Sequence, residues 1–345
     1  MKYSNIYILY PVNRTLERAI ADSLHLLSDD AAAAAMPDTQ VTVADKFLYT
    51  RGNYELHHFS GNILESAQAA FENALAKEND DLARVAILNN LGNVVAALAQ
   101  NRRDTDLYNQ SIASFEKALE IVSQETSPPE WATTQANLGT ALQAIGRQEA
   151  DAKLLNKAID AYTAALLVYS KKDTPEEWML VMHQLGATFH AFGMLLKGNR
   201  TFQKSVVAYK NALALLDADN YAFQLTATHN NRGAVLHHLG ESEEHPERLE
   251  EAVKSYEKAL TVSMEQQLPF HLAVIIRVNK ATAQNVLAEL TNDAALATDV
   301  ADEFELILEC FPHVLQPLCV KHCEAQLKQA RKPTWASNQT RAESL

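Results

Sequence analysis

Apolar residues recur along most of this chain at helical spacing. Leu138, Leu142 and Ile145 align at i, i+4 and i+7, and Ile159, Tyr162, Leu166 and Tyr169 form a second stripe, the pattern of amphipathic helices. The stripes come in pairs, and the pairs repeat. Asn90-Leu91-Gly92 returns as Asn137-Leu138-Gly139, Gln184-Leu185-Gly186 and Asn231-Arg232-Gly233, each glycine 47 residues after the last. A second signature keeps the same step: Ala158-x3-Tyr162-x2-Ala165-Leu166, then Ser205-x3-Tyr209-x2-Ala212-Leu213, then Ala252-x3-Tyr256-x2-Ala259-Leu260. Self-similarity at such a period predicts one helical hairpin, repeated and stacked.

Residues 41–80 read as a first, shorter repeat, with Gly52 in the hairpin-glycine position and Ala67-x3-Phe71-x2-Ala74-Leu75 as its second helix. Ser111-x3-Phe115-x2-Ala118-Leu119 follows. Val278-Asn279-Lys280-Ala281 marks a sixth, degenerate copy whose second helix, Val300-x3-Phe304-x2-Ile307-Leu308, is slipped by one residue. The predicted fold is therefore all-α, a right-handed α-solenoid of about six hairpins over 41–310. Residues 1–40 form an N-terminal cap segment with an apolar patch (Ile6 to Val12) and a helix over 13–27. Residues 311–330 form a C-terminal cap helix and 331–345 a flexible tail.

Glycine inside a helix costs roughly 1 kcal/mol against alanine, so its recurrence at one phase implies close approach of the paired helix. Gly146, Gly193 and Gly240 lie seven residues further on and are expected where the first helix ends or bends. Thr174-Pro175-Glu176-Glu177 reads as a capping box with proline at the first helical position, and Ser127-Pro128-Pro129-Glu130 is its cognate. Trp131 and Trp178 follow these prolines and are expected to pack between repeats.

Composition narrows the function classes. The formal net charge of −13 argues against nucleic acid and against an anionic membrane surface. No uninterrupted apolar run approaches the roughly 18 residues of a membrane span. The three cysteines all lie near the C-terminus, which is no disulfide framework and suits a cytoplasmic location.

The paired signatures resemble the tetratricopeptide repeat: Leu88-x2-Leu91-Gly92-x2-Val95 and Met182-x2-Leu185-Gly186-x2-Phe189, with Ala-x3-Phe/Tyr-x2-Ala in the second helix. The resemblance covers about residues 41–310. The repeat is longer than the family's usual length of about 34, as in long-repeat members such as those of kinesin light chains or those beside bacterial caspase-like domains. In such proteins the first helices line a concave groove. Carried onto this sequence, the family's contact positions fall on Asn89, Asn90, Asn93, Asn137, Thr140, His183, Gln184, His190, Asn230, Asn231, His237 and Arg277.

This ladder of amides and imidazoles permits two readings. Amides donate and accept, so a row of Asn can hold an extended peptide backbone without reading its sequence. Alternatively the repeated Asn side chains bond neighbouring repeats and are structural. His183, His190 and His237 would give the groove positive charge as pH falls towards 6, unless they are packed among helices.

Catalytic and phosphate-binding motifs are missing from the sequence, and no cofactor is expected. Asp104/Asp106 and Asp217/Asp219 lie between repeats, where acidic residues cap helices. Cys310, His313, Cys319, His322 and Cys323 place five ligand-type side chains within fourteen residues. They are either a zinc or redox site or the packing of a buried cap helix. The expected function is a non-enzymatic scaffold or adaptor binding a protein or peptide partner, compatible with a homo-oligomer, and with no nucleic acid or membrane. The alternatives are a metal- or redox-responsive regulator using the Cys/His cluster, and a small-molecule sensor enclosing its ligand within the superhelix.

Overall fold

The computed structural model describes residues 5–10, 19, 22, 23, 53–55 and 61–332. Among them are two strands, β1 (Ile8–Tyr10) and β2 (Asn53–Glu55), paired as a two-stranded sheet. Twelve helices follow: α1 (Gly61–Leu75), α2 (Asp81–Arg102), α3 (Thr105–Ile121), α4 (Pro128–Gln148), α5 (Ala152–Ala165), α6 (Pro175–Leu196), α7 (Asn199–Leu213), α8 (Ala218–Glu243), α9 (Pro246–Glu265), α10 (Phe270–Thr291), α11 (Ala294–Cys310) and α12 (Pro317–Arg331). The fold is an α-solenoid in which each helix packs on the next within two compact units. One unit comprises 12–48 and 55–197, and the other 1–11, 49–54 and 198–345.

In the unit holding α1–α6, the hairpins α2/α3 and α4/α5 pack in sequence, and α2, α4 and α6 also touch as first helices. In the unit holding α7–α12, the hairpins are α8/α9 and α10/α11, with α8, α10 and α12 in contact along one side. Complete hairpins within a unit thus number four among the described residues, flanked by single helices.

The recurring glycines are where the hairpins close. A Cβ built on Gly92 would lie 2.5 Å from Phe115, one on Gly139 2.9 Å from Tyr162, and one on Gly233 2.8 Å from Tyr256. The rings belong to the second-helix signature and are fully buried. In these three hairpins a ring is therefore seated on bare backbone, and the two signatures are halves of one contact. Gly146 and Gly240 serve the same purpose one helix end later: a Cβ there would meet Leu155 at 3.0 Å and Leu249 at 2.8 Å. Both lie in the last turn of the first helix, where the sequence expects that helix to end.

The actual stop signals are non-glycine residues in the left-handed region: Arg103, Ala150, Lys197, Glu244 and Asn292, with φ between 52° and 54°. The residue after each can close the turn backwards, as Asp151 N–H does onto Gly146 O at 2.8 Å and Asp293 N–H onto Ala288 O at 3.0 Å. That next residue also opens the second helix. Asp104, Asp151 and Asp293 cap α3, α5 and α11 by accepting backbone N–H bonds. A left-handed conformation costs a residue with Cβ roughly 1–2 kcal/mol. Ala150 is exposed, so Ala150→Gly should stabilise the fold by about 1 kcal/mol, read as a higher midpoint in urea unfolding.

Other expectations need correction. Thr174 and Ser127 hold the N-cap positions before α6 and α4, but neither side chain makes the cap bond. Thr174 Oγ1 instead accepts from Ser170 N–H at 2.8 Å, fastening the preceding turn. The first repeat is not helical throughout, because Asn53–Glu55 is a strand; pairing with β1 overrides the local helical pattern. Gly52, Ala31–Ala35 and residues 333–345 lie outside the described residues, as does most of the helix expected over 13–27, of which Ala19, Asp22 and Ser23 are helical. Trp131 packs as expected, against Val85, Leu88, Ala118 and Val122.

Finally, α2 and α6 are long and apolar enough, by length and composition, to cross a membrane, which inspection of uninterrupted runs missed. Within their unit α2 packs on α1, α3 and α4, and α6 on α5 and α4, and about half of each apolar stretch is buried (56% and 50%). That packing accounts for the buried part of the apolar character.

Candidate functional site

The first helices carry the amides, and the two units use them differently. In the α1–α6 unit they join repeat to repeat. Asn137 Nδ2 donates to Asn89 Oδ1 at 2.9 Å, and Asn89 Nδ2 donates to Thr134 Oγ1 at 2.8 Å and Val85 O at 3.0 Å. Gln143 Nε2 donates to Thr188 Oγ1 at 2.7 Å and Gln184 O at 3.1 Å. Asn90 Nδ2 donates to Asp22 at 3.0 Å, while Ala19 packs with Leu64, Phe71 and Leu98. Asp22 and Ala19 of the N-terminal segment thus lie against α2 and α1 of this unit. Thr140 bonds Ala136 O and the Tyr162 hydroxyl across its hairpin. Asn93 is buried, with Nδ2 unpaired among the described residues.

In the α7–α12 unit the amides hold an extended backbone. Asn231 Oδ1 accepts from Leu9 N–H at 2.8 Å and its Nδ2 donates to Leu9 O at 2.6 Å. Asn279 repeats the arrangement on Tyr7, accepting from its N–H at 2.8 Å and donating to its carbonyl at 2.7 Å. Each side-chain amide thus takes the place of a neighbouring peptide group in an antiparallel ladder. Asn230 ties the pair together: Nδ2 donates to Tyr7 O at 3.0 Å and to Asn231 Oδ1 at 3.1 Å, and Oδ1 accepts from Asn279 at 2.8 Å. All three amides are fully buried.

The spacing explains why this works. Alternate residues of a strand point their backbone groups to the same edge, about 7 Å apart, close to the distance between neighbouring packed helices. One asparagine from α8 and one from α10 therefore meet every second strand residue. Ile8 turns its backbone to the opposite edge, where β2 pairs. Ile6, Tyr7, Ile8 and Leu9 are all buried. Thus β1 is gripped along one edge by side chains and along the other by a strand.

Around Tyr7 stands a set of neutral polar groups. The His322 ring of α12 meets the Tyr7 ring edge-on at 5.9 Å, and His322 Nε2 lies 2.9 Å from Thr282 Oγ1. That hydroxyl donates to Val278 O at 2.7 Å, so it accepts from His322, which carries its proton on Nε2. Burial lowers the His322 pKa to about 4. His237, also fully buried, is held well below the ordinary histidine range, chiefly by burial and then by His238 and His322.

Of the two readings of the histidines, packing among helices is the one the burial of His183, His190 and His237 supports. His183 is likewise lowered to about 4 by burial, and His190 is buried. Arg277, read as the groove's cation, is bound by both oxygens of Glu303 at 2.7 and 2.9 Å and lies over the Phe311 ring. Lys280 lies 3.8 Å from Glu257.

The Cys/His cluster is not assembled. Cys310 and His313 are exposed, while Cys319 and Cys323 are buried along α12. No group of three or more His, Cys, Asp or Glu is placed to hold a metal among the described residues. The bond to Cys319 and burial push the Cys323 thiol far up. Sequence reasoning caught Asn230 and Asn231 but missed Asn279, because the degenerate copy slips out of phase. His322, named in sequence either as a ligand-type side chain or as packing of the cap helix, is buried beside Tyr7.

No family model matches the chain, and no curated protein matches it. A solved structure described as the TPR2AB-domain:pHSP90-complex of yeast Sti1 is similar over 78% of this chain and 93% of that chain, at 16% sequence identity and a TM-score of 0.27.

Proposed function

We propose that the protein is a non-enzymatic peptide-binding scaffold whose site is the amide-lined groove of α8 and α10. The observation that carries this reading is the paired bonding of Asn231 to both backbone groups of Leu9 and of Asn279 to both of Tyr7. Such bonding recognises extended backbone as such, and the surrounding apolar packing selects side chains. The α2–α6 amides, by contrast, are structural and are left out of the site.

The test uses the full chain carrying Leu9→Asp, which places a carboxylate where Leu9 is fully buried and so vacates the groove. A labelled peptide with the sequence of residues 3–12 should bind saturably in fluorescence anisotropy. Adding Asn231→Ala removes two backbone hydrogen bonds of about 1 kcal/mol each and should weaken binding roughly 30-fold. Absence of binding, or binding indifferent to Asn231, would refute the proposal.

A further inference from the structure

We infer that residues 5–10 are an intramolecular ligand of this groove, and that the external partner is an uncharged aliphatic–aromatic strand that enters by displacing them. The inference rests on the peptide-binding reading above and adds the partner's chemistry and the way access is controlled.

The resident strand shows what the groove accepts. Four consecutive residues, Ile6 to Leu9, are buried, so side chains on both faces of the strand are enclosed. A charged residue at any of these positions would need a counter-ion. Arg277 is held by Glu303 and Lys280 faces Glu257. His237 and His322 are neutral through burial, and Glu241 stands 3.8 Å from His237. With the cations engaged elsewhere, an acidic side chain would be desolvated without compensation. A basic one beside Tyr7 would meet the buried His322 ring. An apolar strand loses nothing on entering and finds each backbone group on its amide edge already matched.

The hydrogen bonds of Asn231 and Asn279 go to the N–H and C=O of Leu9 and Tyr7 and so do not depend on the side chains of the chain's own segment. Covalent attachment gives the resident strand its advantage. A tethered segment acts at an effective concentration on the order of 1 mM, so any partner of similar intrinsic affinity is held off until it exceeds that concentration or binds better. Leaving is feasible, since the three amides become hydrated when the strand departs. The groove is thus occupied at rest and open to competition.

The experiment compares the wild-type chain with Leu9→Asp, using the peptide of residues 3–12 as probe. The wild type should bind it roughly 100-fold more weakly, the factor expected for a millimolar tether against an intrinsic affinity near 10 μM. Equal affinity, with binding still dependent on Asn231, would overturn self-occupancy and leave the peptide-binding reading intact. The same peptide with Glu in place of Ile8 should lose binding at least tenfold to the Leu9→Asp chain. Unchanged affinity would overturn the partner's assigned chemistry. Should Leu9→Asp fail to fold by circular dichroism, hydrogen exchange on the wild type decides. Excess peptide should speed exchange at the Tyr7 and Leu9 amides while α8 and α10 stay protected, and unchanged exchange at those amides under saturating peptide would overturn displacement.

Discussion

Gly92→Val should destabilise the α1–α6 unit by more than about 3 kcal/mol. A Cβ alone would lie 2.5 Å from Cε1 and Cζ of Phe115, which is fully buried. Replacing a helical glycine by alanine gains roughly 1 kcal/mol of propensity, whereas overpacking a filled core costs about 1–3 kcal/mol. Gly92→Ala is therefore expected to be neutral to about 2 kcal/mol destabilising. Valine adds two more carbons against the same ring. Ser111 Oγ donates to Gly92 O at 2.7 Å, so the helices cannot part without breaking that bond. In urea unfolding followed by circular dichroism, pairing Gly92→Ala with Phe115→Leu should restore much of the alanine loss. A cycle showing simple additivity would mean that the ring and the glycine are not one contact.

The second large effect is loss of stability in mild acid. His183, His229 and His322 are each lowered from 6.5 to about 4, principally by burial. Lysine 258 and Arg232 add to the shift at His229. The neutral ring is favoured in the folded state, so the unfolded chain binds protons first as pH falls. Stability from these groups is fully present above 6.5 and is lost progressively down to about 4, where the folded protein also protonates. Each buried ring should withdraw about 2 kcal/mol by pH 5 and about 3 by pH 4. His183→Gln should flatten the slope between pH 6.5 and 4 for its unit; an unaltered slope would refute the assignment to His183.

Gly92 with Phe115, and Gly139 with Tyr162, announced themselves because a glycine that damages its own helix must repeat for a reason outside that helix. Asp104 and Asp217 could be read as capping residues, since a short carboxylate at a helix start has few other uses; both do cap, at Asp106 and Asn220 N–H. Asn279 was hidden by a one-residue slip. The left-handed stops at Arg103, Ala150 and Glu244 were hidden because a glycine marks such a turn in sequence and none stands there. Ile6 to Leu9 looked like a short apolar patch, and nothing local states that its partners are 222 and 272 residues away.

By itself, then, the order of residues determined the helical repeat, the pairing of glycine with ring, and the placing of amides on the first helices. These follow from contacts at fixed short separations, which any periodic chain displays. Only the tertiary structure decided which amides would staple helices and which would hold a strand, which histidines would stay neutral, and where the arginine would find its partner. Those outcomes depend on what fills the space beside each side chain, and in the α7–α12 unit that space is filled by residues from the far end of the chain.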